Sequence, residues 1–146
     1  KTVVIDTVNA IMVDDEMNRM KEKGYDKWQD LAATVYNLVD LSRSLRDDLT
    51  IFLLFHEESF MDDDGKRIRR ILTSGRKLQK INLESKFVHV YFAIVNGNGG
   101  NNEYKLETRA NNSTARSPFE LYDSFLIDND FQFIINKIKE YDIDEL

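Results

Sequence analysis

KTVVIDTVNAIM (Lys1–Met12) and LTIFLLFH (Leu49–His56) are the two stretches whose reading decides the fold of this chain. Each is a continuous apolar run that stops abruptly on polar residues, Asp6 and Thr7 in the first, His56, Glu57 and Glu58 in the second. A run without polar alternation is the pattern of a strand covered on both faces, as at the centre of a parallel sheet. Between the two runs, Asp26 reads as a helix N-cap with Gln29 at the capping-box position. Beyond it Trp28, Leu31, Val35, Leu38 and Leu45 recur at three- and four-residue spacing, which predicts an amphipathic helix with Trp28 and its stripe in the core. A looser, charged stretch from Val13 to Lys23 also reads as helical. Strand, long helix and strand make a βαβ unit, which predicts parallel pairing with a right-handed crossover.

Working outward, Ser59–Gly75 carries no periodicity and reads as a loop. RKLQKINLES (Arg76–Ser85) suits a short helix, and FVHVYFAIV (Phe87–Val95) reads as a third apolar strand. NGNGGNN (Asn96–Asn102) is the clearest turn, and EYKLETR (Glu103–Arg109) alternates as its returning hairpin partner. Asp128 is placed to cap a last helix carrying Phe131, Ile134, Ile135, Ile138 and Tyr141 on one face. The expected fold class is α/β, a mainly parallel sheet flanked by helices with a late antiparallel hairpin, in a single domain over residues 1–146.

The bulk composition narrows the function classes. At 146 residues the chain can bury a real core, and its 42% hydrophobic and 32% charged content is that of an ordinary globular domain. A net charge of -6 argues against uniform coating of nucleic acid, while leaving room for a local basic patch. Zero cysteines exclude disulfides and thiolate metal sites and suit a reducing cytosol, so a cytoplasmic location is expected. No apolar run is long enough to cross a bilayer, and no membrane partner is expected. One proline, Pro118, and few glycines outside Gly97–Gly100 leave no flexible linker between domains.

In open parallel sheets, ligands collect outside the carboxyl ends of the strands. Asp6 and His56 both stand at such ends. A carboxylate there suits Mg²⁺ held through its water shell, beside a phosphate chain. A histidine at the neighbouring tip can donate a hydrogen bond to a terminal phosphate and report its loss to the segment behind it. Against this stands the plainer reading, in which Asp6 caps a turn and His56 is a solvated loop residue.

TVVIDTVNAIM, then a long helix, then LTIFLLFHEE, resembles the second half of a RecA-like P-loop ATPase core. The likeness is to the phage-type RecA-like (AAA) ATPases linked to single-strand DNA recombination, and it runs as order and pattern from Lys1 to Tyr141. The resemblance implies an ATP-binding and ATP-hydrolysing protein acting in DNA recombination or replication, with ATP and Mg²⁺ as cofactors. It makes Asp6 the Walker B acid, holding the metal through water, Thr7 an organiser of that water shell, and His56 the γ-phosphate sensor. Arg109 and Arg116 flank ANNSTA (Ala110–Ala115), where RecA-like oligomers place a basic residue that reaches the neighbouring subunit's nucleotide. Arg116 is the preferred finger, because Pro118 stiffens its loop, and Arg109 the second nucleotide contact. A homo-oligomer follows from that role.

G-x-x-x-x-G-K-[ST] occurs nowhere in the sequence. RecA-like proteins carry it, with the water-activating glutamate, upstream of Walker B. The resemblance therefore implies the C-terminal portion of a longer core, which alone binds nucleotide poorly and does not turn it over.

Lys66, Arg67, Arg69, Arg70, Arg76, Lys77 and Lys80 concentrate positive charge where RecA-like proteins place a DNA-contacting loop. Single-stranded DNA is the expected partner, bound through phosphates in a salt-dependent way. Asp62, Asp63 and Asp64 offset that charge, and with only Phe60 nearby base stacking is weakly supported. His89 reads as a sheet residue, and DDDG lacks the spacing of a calcium loop. Two other readings stay open: a metal-dependent PIN-like nuclease with IDTVN supplying its first metal acid, and a non-catalytic interaction or assembly domain.

Overall fold

A computed structural model of the chain describes all residues except 42, 43, 75–77, 79, 98, 145 and 146, and only the backbone of 143 and 144. The chain forms two compact units, Lys1–Glu58 with Arg70–Lys86, and Ser59–Arg69 with Phe87–Leu146.

In the first unit, β1 (Thr2–Ile5) leads directly into α1 (Val8–Asn18), followed by α2 (Asp26–Leu41) and β2 (Thr50–Leu53). β1 and β2 pair in parallel, from Thr2 opposite Thr50 to Ile5 opposite Leu53. Thr7 is extended and its hydroxyl accepts from the Ala10 amide at 3.2 Å, so α1 starts immediately after Asp6. Val8 and Met12 on α1, Ala32 and Val35 on α2, and Leu78 and Leu83 form the core, with Ile5, Leu53, Phe55 and Ile71 packed against it. Trp28, expected in that core, is 43% exposed on the first turn of α2, with the Lys27 ammonium 5.1 Å from its ring. Leu45 lies beyond the end of α2 and is likewise exposed. The buried line of α2 is Ala32, Val35 and Val39.

Ser59–Gly75, expected as a loop, contains most of a β-hairpin made by β3 (Glu57–Met61) and β4 (Arg67–Ile71). Burial alternates along β3, with Glu58 and Phe60 turned inward. The turn is built on Asp62, whose carboxylate accepts from the amides of Asp64 (3.1 Å) and Lys66 (2.7 Å). Arg76, Lys77 and Gln79 lie outside the described residues, and the end of Arg76–Ser85 enters a 3-10 turn at Leu83–Lys86.

The second unit is built on β5 (Phe92–Asn96), β6 (Glu103–Glu107) and β7 (Leu126–Asp128), an antiparallel sheet in that order, and α3 (Phe131–Asp144). Phe92, Leu106, Ala115, Leu121, Tyr122, Ile127, Ile134 and Ile135 are its buried apolar residues. The cap of α3 is Asp130, whose carboxylate accepts from Gln132 (2.8 Å) and Phe133 (3.2 Å) amides. Asp128 instead ends β7 and accepts from the Lys105 ammonium at 2.7 Å.

The expected mainly parallel sheet is therefore overturned. One sheet is parallel, it has two strands, and the remaining strands form the hairpin and the three-stranded antiparallel sheet. The physical reason lies in Phe87–Val95. Only its later part becomes a strand, and that strand takes the partner next to it in sequence, across the glycine-rich turn. A hairpin closes with a few residues, whereas joining β1 and β2 as a third parallel strand would need another long crossover. Apolar continuity also misleads here, since Val88 and Val95 are exposed.

Candidate functional site

The carboxyl ends of β1 and β2 lie side by side. Beyond the paired Ile5 and Leu53, the Leu54 amide donates to Ile5 O (3.0 Å) and the Val8 amide to Leu54 O (2.9 Å). Asp6 and His56 thus follow adjacent parallel strands onto one rim, the rim from which α1 departs. The Asp6–Thr7 peptide is cis. Both side chains are exposed, and no hydrogen bond or ion pair within the described residues engages the Asp6 carboxylate or the His56 ring. The amino end of α1 adds partial positive charge at the same place.

Asn9 braces this rim from below and was not singled out by its sequence. It is 7% exposed, its Oδ1 accepts from the His56 amide at 2.8 Å, and its Nδ2 donates to Leu72 O at 2.9 Å. The Leu72 amide in turn donates to His56 O at 2.7 Å. The one signal available was a lone amide side chain in the otherwise apolar first turn of α1.

An exposed carboxylate with uncommitted oxygens fits a magnesium ion held through water, with phosphate oxygens completing the shell. Thr7 keeps its hydroxyl proton available after accepting from Ala10, so it can donate to such water. Among the described residues no group of three or more His, Asp or Glu is gathered as a closed metal cage.

The remaining candidates belong to the second unit or to the hairpin. Arg109 donates from Nη2 to Tyr122 O at 2.5 Å, its guanidinium lies 5.5 Å from the Phe119 ring, and its Nε is buried with no hydrogen-bond partner among the described residues. Arg116 exchanges two main-chain bonds with Val90, at 2.8 and 2.9 Å, while no bond within the described residues engages its guanidinium. Neither arginine is in the compact unit that carries Asp6 and His56.

Of the basic cluster, Arg69 donates to both Glu107 oxygens at 2.5–2.6 Å and lies 5.4 Å from the Phe92 ring. Arg70 donates to Glu58 at 2.8 Å. These two cations are committed within the fold. Lys66 and Arg67 are exposed, at the turn and at the first residue of β4, and Lys80 is exposed as well. Arg76 and Lys77 lie outside the described residues.

His89 is half-buried and stacks on Tyr91 with ring centroids 6.3 Å apart, and burial pushes its pKa below the usual histidine value. The Tyr91 hydroxyl meets that of Tyr122 at 2.9 Å, and burial raises both phenols.

Comparison of the chain with protein-family models, with curated proteins and with solved structures finds no match.

Proposed function

We propose that the rim of β1 and β2 is the metal-and-phosphate half of a nucleoside triphosphate site, in a protein that binds and hydrolyses ATP while acting on single-stranded DNA in recombination or replication. The observation that carries this reading is that Asp6, directly after β1, and His56, three residues past the parallel β2, are both exposed with side chains uncommitted within the described residues, beside the amino end of α1. Asp6 holds hydrated Mg²⁺, Thr7 donates to the ion's water, and His56 donates to the terminal phosphate. Bound ATP and Mg²⁺ supply the transferable phosphoryl group and the charge that neutralises it.

The sequence holds no phosphate-cradling loop, so under this reading that loop is supplied from outside these 146 residues. Arg116, with its guanidinium uncommitted, suits the role of a finger that reaches a neighbour's nucleotide in a homo-oligomer, and it fits that role better than Arg109. Among the described residues of the basic cluster, Lys66, Arg67 and Lys80 are exposed and available to meet DNA phosphates, Lys66 and Arg67 at the hairpin. A metal-dependent nuclease needs several acids converging on one site, and the described residues gather no such group.

The test is Asp6→Asn in the natural gene product. Asp6 is exposed at a strand tip, so the variant should keep its thermal unfolding midpoint while losing magnesium-dependent ATP hydrolysis by roughly 100-fold or more. Hydrolysis that ignores the substitution would remove the reading.

A further inference from the structure

We infer that Asn9 is a positioning residue, whose carboxamide holds the His56 main chain against Leu72 so that the histidine's placement on the rim and the root of the β3–β4 hairpin are set together. This rests on the function proposed above. His56 immediately precedes β3 and Leu72 immediately follows β4, so these two residues are the two feet of the hairpin. Three hydrogen bonds close a ring among them: His56 N to Asn9 Oδ1 (2.8 Å), Asn9 Nδ2 to Leu72 O (2.9 Å), and Leu72 N to His56 O (2.7 Å).

The ring explains why a polar side chain is tolerated at a buried position. An amide carries both an acceptor and a donor, and here both are used, on the His56 amide and the Leu72 carbonyl, so the buried Asn9 side chain is itself satisfied. No apolar residue does this, and a carboxylate does only half of it. Asn9 also sits three residues after Asp6 on the first turn of α1, so the element that starts at the metal acid directly grips the backbone of the phosphate sensor. A shift of His56 on losing a terminal phosphate cannot leave Leu72 behind, and Leu72 continues from the strand that begins with Arg67. Strain at the hairpin feet is returned to His56 by the same three bonds.

The experiment compares wild type, Asn9→Ala and Asn9→Asp in the natural gene product, reading ATP hydrolysis with and without oligothymidylate, and amide hydrogen exchange. In Asn9→Ala the His56 and Leu72 amides should exchange faster, kcat should fall by roughly 10- to 100-fold with KM changed far less, and the response to oligothymidylate should vanish. Asn9→Asp keeps the acceptor for the His56 amide and loses the donor to Leu72. It should recover much of kcat without recovering the response to oligothymidylate, a split that simple loss of packing would not produce. Folded Asn9→Ala protein with unaltered kcat and response, alongside inactive Asp6→Asn, would overturn the positioning role and leave the proposed function standing. Wild-type protein without ATP hydrolysis would overturn both.

Discussion

Asp6 and Glu107 are both acids at or just past the end of a strand, and their surroundings give them opposite work. Asp6 is exposed with its oxygens uncommitted, whereas Glu107 is 3% exposed and accepts from Arg69 and from the Ser113 hydroxyl. Removing one partner of a buried pair strands the other charge. Glu107→Ala should therefore lower the unfolding free energy by about 3 kcal/mol in a denaturant titration. Asp6→Asn should leave that titration unchanged. His89 supplies a second residue-level expectation. Its folded pKa lies below the ordinary 6.5, chiefly through burial, with Asp142 opposing that shift. As pH falls below the unfolded value, the unfolded state takes up the proton first, so stability is lost as pH drops through that window and is not lost above it. Denaturant midpoints followed from neutral to mildly acidic pH should show the loss, and His89→Asn should flatten it.

Elements follow the local pattern where one signal dominates and depart from it where two compete. α3 is a case of the right helix with the wrong cap. Asp128 and Asp130 are equally good capping residues by type, but Asp128 is spent at the end of β7, opposite Lys105, and Asp130 meets the free amides of the first turn. Asp130→Ala should cost about 1 kcal/mol of stability, measured by thermal or chemical unfolding, and Asp128→Ala should cost the helix nothing. The hairpin of β3 and β4 was hidden for a different reason. Three of the five residues of β4 are arginines, and Arg69 and Arg70 are half-buried alongside Ile68 and Ile71, so apolar alternation does not mark this strand. Arg69 and Arg70 turn out to be satisfied by Glu107 and Glu58, which makes an arginine an acceptable sheet residue.

At the scale of the whole molecule, an acidic chain with net charge -6 can meet DNA only through a restricted patch. The cations free for that purpose at the hairpin are Lys66 and Arg67, since Arg69 and Arg70 are held internally. Alanine at both Lys66 and Arg67 should weaken oligothymidylate binding and reduce the slope of log affinity against log salt by roughly 1 to 2, read by fluorescence anisotropy. Arg69→Ala should act mainly on stability instead, through the stranded Glu107. No helix among the described residues is long and apolar enough to cross a membrane.

Local patterning suffices for most of the individual elements. Continuous apolar runs became β1 and β2, three- and four-residue spacing became α2 and α3, and the glycine-rich segment became the turn between β5 and β6. The same runs misled on burial: β1 is not covered on both faces, since Val3 and Val4 are exposed, and His56 stands three residues past β2 and directly before β3, while Asp6 does follow β1 directly. Tertiary structure decided which strands share a sheet, which of the arginines remain free, and that Asn9 ties His56 to Leu72. Those choices join residues far apart in the chain, and they are made by matching buried donors, acceptors and charges across the fold. Local periodicity holds no record of such matches, since the same arginine or asparagine reads identically whether its partner is water or a buried carboxylate.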